Sequence, residues 1–130
     1  MFTSLSQAII YGRHLDVAER MLDFDFLAGR EPSVAGIVDS NAKQSGSAKV
    51  FFGHQEILIP IYSSIASIPE NPHIDTFLNF ASFRSAASAT HEALESRKFQ
   101  NIVIIAEGIP ERDIRDIIAL NVREYHTRII

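Results

Sequence analysis

The run Ile102-Val103-Ile104-Ile105 presents no polar side chain to either face of an extended chain. A strand of that kind needs cover on both sides, which a parallel α/β sheet supplies and a half-wetted antiparallel sheet does not. The pattern predicts a central strand over Ile102 to Ala106. A helix is expected from Pro110 to Leu120, with Ile114, Ile117 and Ile118 as an i, i+3, i+4 core stripe. Pro110 and Glu111 suit its first turn, through the fixed φ of proline and the helix dipole. Upstream lie a strand, Thr76 to Asn79, and a helix, Ser82 to Ser96; downstream, Thr127 to Ile130 is extended. Such alternation predicts parallel strands joined by crossover helices.

The first half reads less cleanly. Ala8 to Tyr11 is a short buried strand, and Leu15 to Leu27 is amphipathic, with Val17, Met21 and Leu22 at helical spacing. Val34 to Val38 is a second strand after Pro32 and Ser33. Asn41 to Ala48 is polar and rich in Ser, Gly and Lys, which predicts a mobile surface loop returning through Val50-Phe51-Phe52. Ile57 to Tyr62 begins extended, and Ser63 to Ile68 suggests a short helix stopped before Pro69 and Pro72. The 130 residues contain no internal repeat, so a single domain is expected over 1–130.

Charge narrows the partners. A net charge of −4 gives no global attraction to nucleic acid or to an anionic membrane, so any phosphate site must be local. No apolar stretch approaches the roughly 20 residues of a membrane helix, and the first residues lack the pattern of a signal peptide, so a cytoplasmic location is expected. The absence of cysteine excludes disulfides, thiolate catalysis and cysteine-ligated metal.

Two blocks carry candidate chemistry. Asn79 to Ala86 and Ile104 to Pro110 each place polar groups where an apolar run gives way to a helical pattern, the position at which parallel α/β sheets bind ligands. Ser82, Arg84 and Ser85 could surround a phosphate with hydroxyls, backbone N–H groups and a forked guanidinium. They equally suit a capped helix start. Glu107 ends the next strand and faces the same crevice, as a solvated carboxylate or as a catalytic or orienting group. Asp23 and Asp25, flanking Phe24, read as exposed acids rather than a catalytic dyad.

Other chemistries find little support. His14, His54, His73, His91 and His126 show no metal-binding spacing, and no metal is expected. No GxSxG turn is present for a serine nucleophile. Gly12 stands alone in Tyr11-Gly12-Arg13-His14-Leu15, where NAD binding requires GxGxxG, although Asp39 follows the second strand where a ribose-binding acid would lie.

With these residues laid out, the chain resembles the CoA-binding domain of ATP-citrate lyase, the part of that enzyme similar to the α subunit of succinyl-CoA synthetase. The resemblance runs nearly end to end through Met21 to Phe26, Glu31 to Gly36, Phe52 to Pro60, Asn79 to Ala86 and Ile104 to Pro110. Synthetases share Glu107-Gly108-Ile109-Pro110 but carry a glycine-rich phosphate loop after the first strand, which this chain lacks.

The resemblance implies a Rossmann-like α/β fold, a mostly parallel twisted sheet with helices on both faces. It also implies a role in the conversion of citrate, CoA and ATP to acetyl-CoA, oxaloacetate, ADP and phosphate. Ser82, Arg84 and Ser85 would contact CoA phosphates, Phe80 and Ile105 would flank the adenosine part, and Glu107 would serve catalysis beside the phosphohistidine loop. ATP and Mg2+ would be used by the complete enzyme, not bound by this chain. The family's aromatic residue near adenine is replaced by the polar stretch Asp39-Ser40-Asn41-Ala42. Beyond Thr127-Arg128-Ile129-Ile130 the family continues with a Gly-Pro turn and the domain bearing the phosphorylated histidine, which none of the five histidines here matches. The chain is therefore expected to be an N-terminal piece, inactive alone, whose partners are the remaining domains or subunits of the lyase. The alternatives are a stand-alone CoA- or nucleotide-binding module without catalysis and a succinyl-CoA synthetase-like ligase domain.

Overall fold

A computed structural model describes residues 2–130. Its seven strands form one sheet in the order β3-β4-β2-β1-β5-β6-β7. The strands are β1 (Gln7–Tyr11), β2 (Val34–Val38), β3 (Gly46–Phe52), β4 (Gln55–Tyr62), β5 (Ile74–Asn79), β6 (Asn101–Ile104) and β7 (Arg128–Ile129). All neighbouring pairs are parallel except β3 with β4, an antiparallel hairpin at one edge. The helices are α1 (Leu15–Leu27), α2 (Ala86–Ser96) and α3 (Glu111–Leu120).

Alternation of side chains along the strands divides the core in two. On one face Ile10, Val34, Ile37, Val50, Ile59 and Ile61 close over Ala18 and Leu22 of α1. On the other, Ile9, Phe77 and Ile102 meet Ala93 and Leu94 of α2 and Ile117 of α3. The α/β architecture with helices on both faces is the one expected.

Several local expectations are corrected. Gly46 to Ala48 is not loop but the start of β3, where Gly46 pairs with Ile61 and Ala48 with Ile59. Polar composition misled because the hairpin's outer face is wet: Ser47 and Lys49 point outward while Ala48 and Val50 are buried. β4 runs straight through Pro60, which supplies no N–H; its pairing with β2 is confined to Ile37–Ile61 and Val38–Tyr62. Before that point β2 and β4 splay round a cavity of about 400 Å³ that Ala35, Ile57 and Pro60 help to line.

The apolar run forms β6, which is paired on both sides yet lies next to the edge strand; the middle of the sheet is β1. Ile102 is fully buried, Val103 only partly so. α3 likewise buries Ile117 but leaves Ile114 and Ile118 exposed, since its main neighbours are α2 and the turn that continues it rather than the strands. After α3 the chain makes a π-helical turn, Asn121–Tyr125, closed by the Asn121 amide, which donates to Thr127 O and accepts from Thr127 N. Of the two acids beside Phe24, Asp23 is exposed but Asp25 is buried. Its Oδ2 accepts from the Ser33 N–H at 2.7 Å and the Ser33 hydroxyl at 2.6 Å, tying α1 to the start of β2.

Candidate functional site at the switch point of the sheet

From β1 the chain crosses to β2 on one side; from β5 it crosses to β6 and β7 on the other. The loops leaving β1 and β5 therefore diverge, and the crevice between them at the carboxyl ends of the strands is where open α/β sheets take ligands. Three segments rim it: Gly12 to His14, Phe80 to Ser85 and Ile105 to Pro110. Phe80 N donates to Tyr11 O and Ile105 N to Asn79 O, each at 3.1 Å, which fixes all three exits along one edge.

The second segment is held from beneath by Asn79, which is wholly buried. Its Nδ2 donates to Ala86 O at 2.9 Å and to Thr90 Oγ1 at 3.0 Å, while its Oδ1 accepts from Ala81 N at 3.0 Å. One amide thus joins the strand end, the loop and the first turn of α2.

The expected helix start at Ser82 is a turn instead. Ser85 N and Ala86 N both donate to Ser82 O, the Ser82 and Ser85 hydroxyls lie 3.2 Å apart, and α2 proper begins at Ala86 with no side-chain cap. An uncapped helix start keeps N–H donors and the positive end of the dipole for an anion. Ser82, Arg84 and Ser85 are exposed beside it, with the Arg84 guanidinium over the Phe83 ring at 5.5 Å. Among the described residues no carboxylate lies within ion-pair distance of Arg84.

Glu107 is exposed in the third segment, just before Gly108, whose φ of +78° disfavours any side chain. A Cβ on Gly108 would stand 4.0 Å from Phe83 Cβ, so the Glu107 turn and the Arg84 loop are immediate neighbours. The strand before Glu107 ends at Ile104 rather than Ala106; Ile105 is 44% exposed on the rim. Phe80 is half-buried, its ring 5.2 Å from that of His14. All six residues singled out from the sequence thus lie along one edge of the sheet.

The β1 side of the crevice was not legible as a site. Gly12, at φ +110°, turns the chain so that the His14 ring folds back over it; a Cβ there would lie 2.9 Å from His14 Cδ2. Arg13 pairs with Asp39 across 3.5 Å, and Asn41 N donates to the other Asp39 oxygen at 3.0 Å. Asp39 thus faces a backbone N–H on one oxygen and a cation on the other; the missing glycine loop is what speaks against NAD.

Next along the edge, Tyr62 is partly buried against Gly36, and burial raises its phenol above the ordinary 10.0. The folded state holds this proton more tightly than the unfolded one, so stability should fall as pH rises above about 10. Absorbance titration should show a late tyrosine step that Tyr62→Phe removes; an unchanged titration would contradict the burial effect.

A cavity of about 520 Å³ opens at the opposite edge, lined in part by Gln7, Met21, Arg30 and Thr76. It lies at the amino ends of the strands, away from the switch point. Among the described residues no cluster of three or more His, Asp or Glu could hold a metal ion, and no helix is long and apolar enough to cross a membrane.

No family model matches the chain. It is 47% identical to ATP-citrate synthase beta chain protein 2 of Arabidopsis thaliana over 92% of its own length and 20% of that protein. It is 46% identical to the beta chain protein 1 of Oryza sativa over the same shares. A solved structure of ATP citrate lyase from Methanothrix soehngenii, in complex with citrate and coenzyme A, superposes with a TM-score of 0.90 at 36% identity. The match covers all of this chain and 21% of that one. The chain thus spans about a fifth of the relatives it matches, and across that span it is a homologue of the ATP-citrate synthases, also called ATP-citrate lyases.

Proposed function

We propose that this chain is the CoA-binding portion of an ATP-citrate lyase and that CoA lies in the switch-point crevice. The observation that carries the reading is the conjunction of Arg84, the uncapped start of α2 and Glu107 on one edge of a fold shared with a lyase in complex with citrate and coenzyme A. Arg84, the Ser82 and Ser85 hydroxyls and the first-turn N–H groups of α2 beyond Ala86, whose own N–H donates to Ser82 O, take CoA phosphates by charge-assisted hydrogen bonds. Phe80 and Ile105 offer apolar surface to the adenosine part. In the whole enzyme citrate, CoA and ATP give acetyl-CoA, oxaloacetate, ADP and phosphate. Glu107 orients, by a hydrogen bond to one imidazole nitrogen, a phosphohistidine supplied from outside this chain. The remaining domains or subunits supply ATP, Mg2+ and citrate binding, and the enzyme works in the cytoplasm. This chain alone does not turn over.

Calorimetry with CoA on the full-length polypeptide tests the binding half. Loss of a charge-assisted anchor of about 1.5–3 kcal/mol should weaken CoA by about 10- to 150-fold in Arg84→Ala. Affinity unchanged by Arg84→Ala would refute the assignment. Tight binding by residues 1–130 alone would favour a self-sufficient module over a dependent portion.

A further inference from the structure

Asp39 stands at the end of β2, where dinucleotide-binding folds use an acid to hold the two free hydroxyls of an adenosine ribose. Here one oxygen of the acid accepts from Asn41 N at 3.0 Å, and the other forms an ion pair with Arg13 across 3.5 Å. The more exposed charge that a ribose meets at this place is the cation. The Asp39 side chain is only 14% exposed, whereas that of Arg13 is 56% exposed, so the carboxylate is the inner support and the guanidinium the outer face.

The backbone keeps Arg13 there. Gly12 N donates to Val38 O at 2.9 Å, which ties the loop after β1 to the end of β2, and His14 N donates to Gly12 O at 2.8 Å, which tightens the turn. His14 then stacks on Phe80, filling the β5 side, while Arg13 reaches toward Asp39 on the β2 side. An arginine spends one edge of its fork on a carboxylate and retains other N–H donors for a second anion.

CoA differs from most adenine nucleotides in carrying phosphate on the 3′ oxygen of the ribose as well as on the 5′ oxygen, which leaves no vicinal diol. Arg13 and Arg84 rise from the ends of neighbouring strands, on either side of the crevice. Resting on the CoA reading above, we infer that Arg13, held by Asp39, recognises the ribose 3′-phosphate while Arg84 serves the 5′-diphosphate, so that Arg13 is the residue that separates CoA from 3′-dephospho-CoA.

The test compares CoA and 3′-dephospho-CoA by calorimetry on the full-length polypeptide, in wild type, Arg13→Gln, Arg13→Lys and Arg84→Ala. Wild type should prefer CoA by about tenfold or more, as expected for one charge-assisted contact. Arg13→Gln should bring the two ligands to within about twofold by weakening CoA alone, and Arg13→Lys should retain part of the preference. The dephospho-CoA affinity of Arg13→Gln is the internal control for folding. Equal binding of both ligands by wild type, or a preference that survives Arg13→Gln, overturns the inference. If Arg84→Ala still weakens both ligands in that case, the CoA reading stands without it. If wild type binds neither ligand, both fall.

Discussion

The Glu107→Gln variant of the full-length polypeptide is expected to lose about 10²- to 10⁴-fold in kcat, the usual range when a positioned acid–base group is removed. CoA affinity should stay within about twofold, because the proposed phosphate anchors Ser82, Arg84 and Ser85 are on the β5 loop and not on the β6 loop. The split between the two readouts is the informative part. Glutamine is close in size and suits the exposed position of Glu107, so the fold should tolerate it. It removes the negative charge that favours imidazolium and keeps a neutral acceptor. Full activity in Glu107→Gln would remove the carboxylate from the mechanism. An equal fall in kcat and in CoA affinity would instead make it part of the binding surface.

The Asn79→Leu variant should be the most destabilising single change at the site. It takes the acceptor from Ala81 N and puts leucine where a buried amide made three hydrogen bonds, while Ala86 O keeps the Thr90 hydroxyl at 2.8 Å. A cost of about 3 kcal/mol is expected from the stranded Ala81 amide together with the hydrogen bonds lost to Ala86 and Thr90, and for a chain of this size that lowers Tm by about 10 °C. Thr90→Val should cost less, about 1 kcal/mol, since Asn79 still reaches Ala86 O. Thermal unfolding followed by circular dichroism checks both. A shift of less than about 3 °C for Asn79→Leu would mean that the loop is held by its own turn rather than by this amide.

Much of the architecture could be read because its signals are local. The β6 run, the Pro110–Glu111 helix start and the α1 pattern each declare an element within a few residues, and alternation then implies parallel pairing. Strand order is not local. The place of β6 beside the edge and the exposure of Ile114 and Ile118 follow from where the crossovers lead, which no window of sequence contains. The β3–β4 hairpin was obscured for a different reason, since its wet face gives Ser47 and Lys49 the look of a loop.

At the site, strand ends followed by helix patterns made the β5 and β6 loops visible. The β1 side stayed hidden because its geometry depends on a pair remote in sequence, Arg13 with Asp39, and on His14 meeting Phe80 across two strands. Asn79 looked like the last residue of a strand; its three partners appear only when the loop has folded back over it.

That folding back has a consequence for ligand capture. Ala81, Ser85 and Ala86 already donate their amide protons to acceptors within the protein. If CoA binds as proposed, its phosphate meets a preformed loop and has little disorder to remove, so the entropic tax of ordering a flexible segment falls on folding rather than on association. Deuterium uptake at these amides should be slow in the free protein and change little when the cofactor is added.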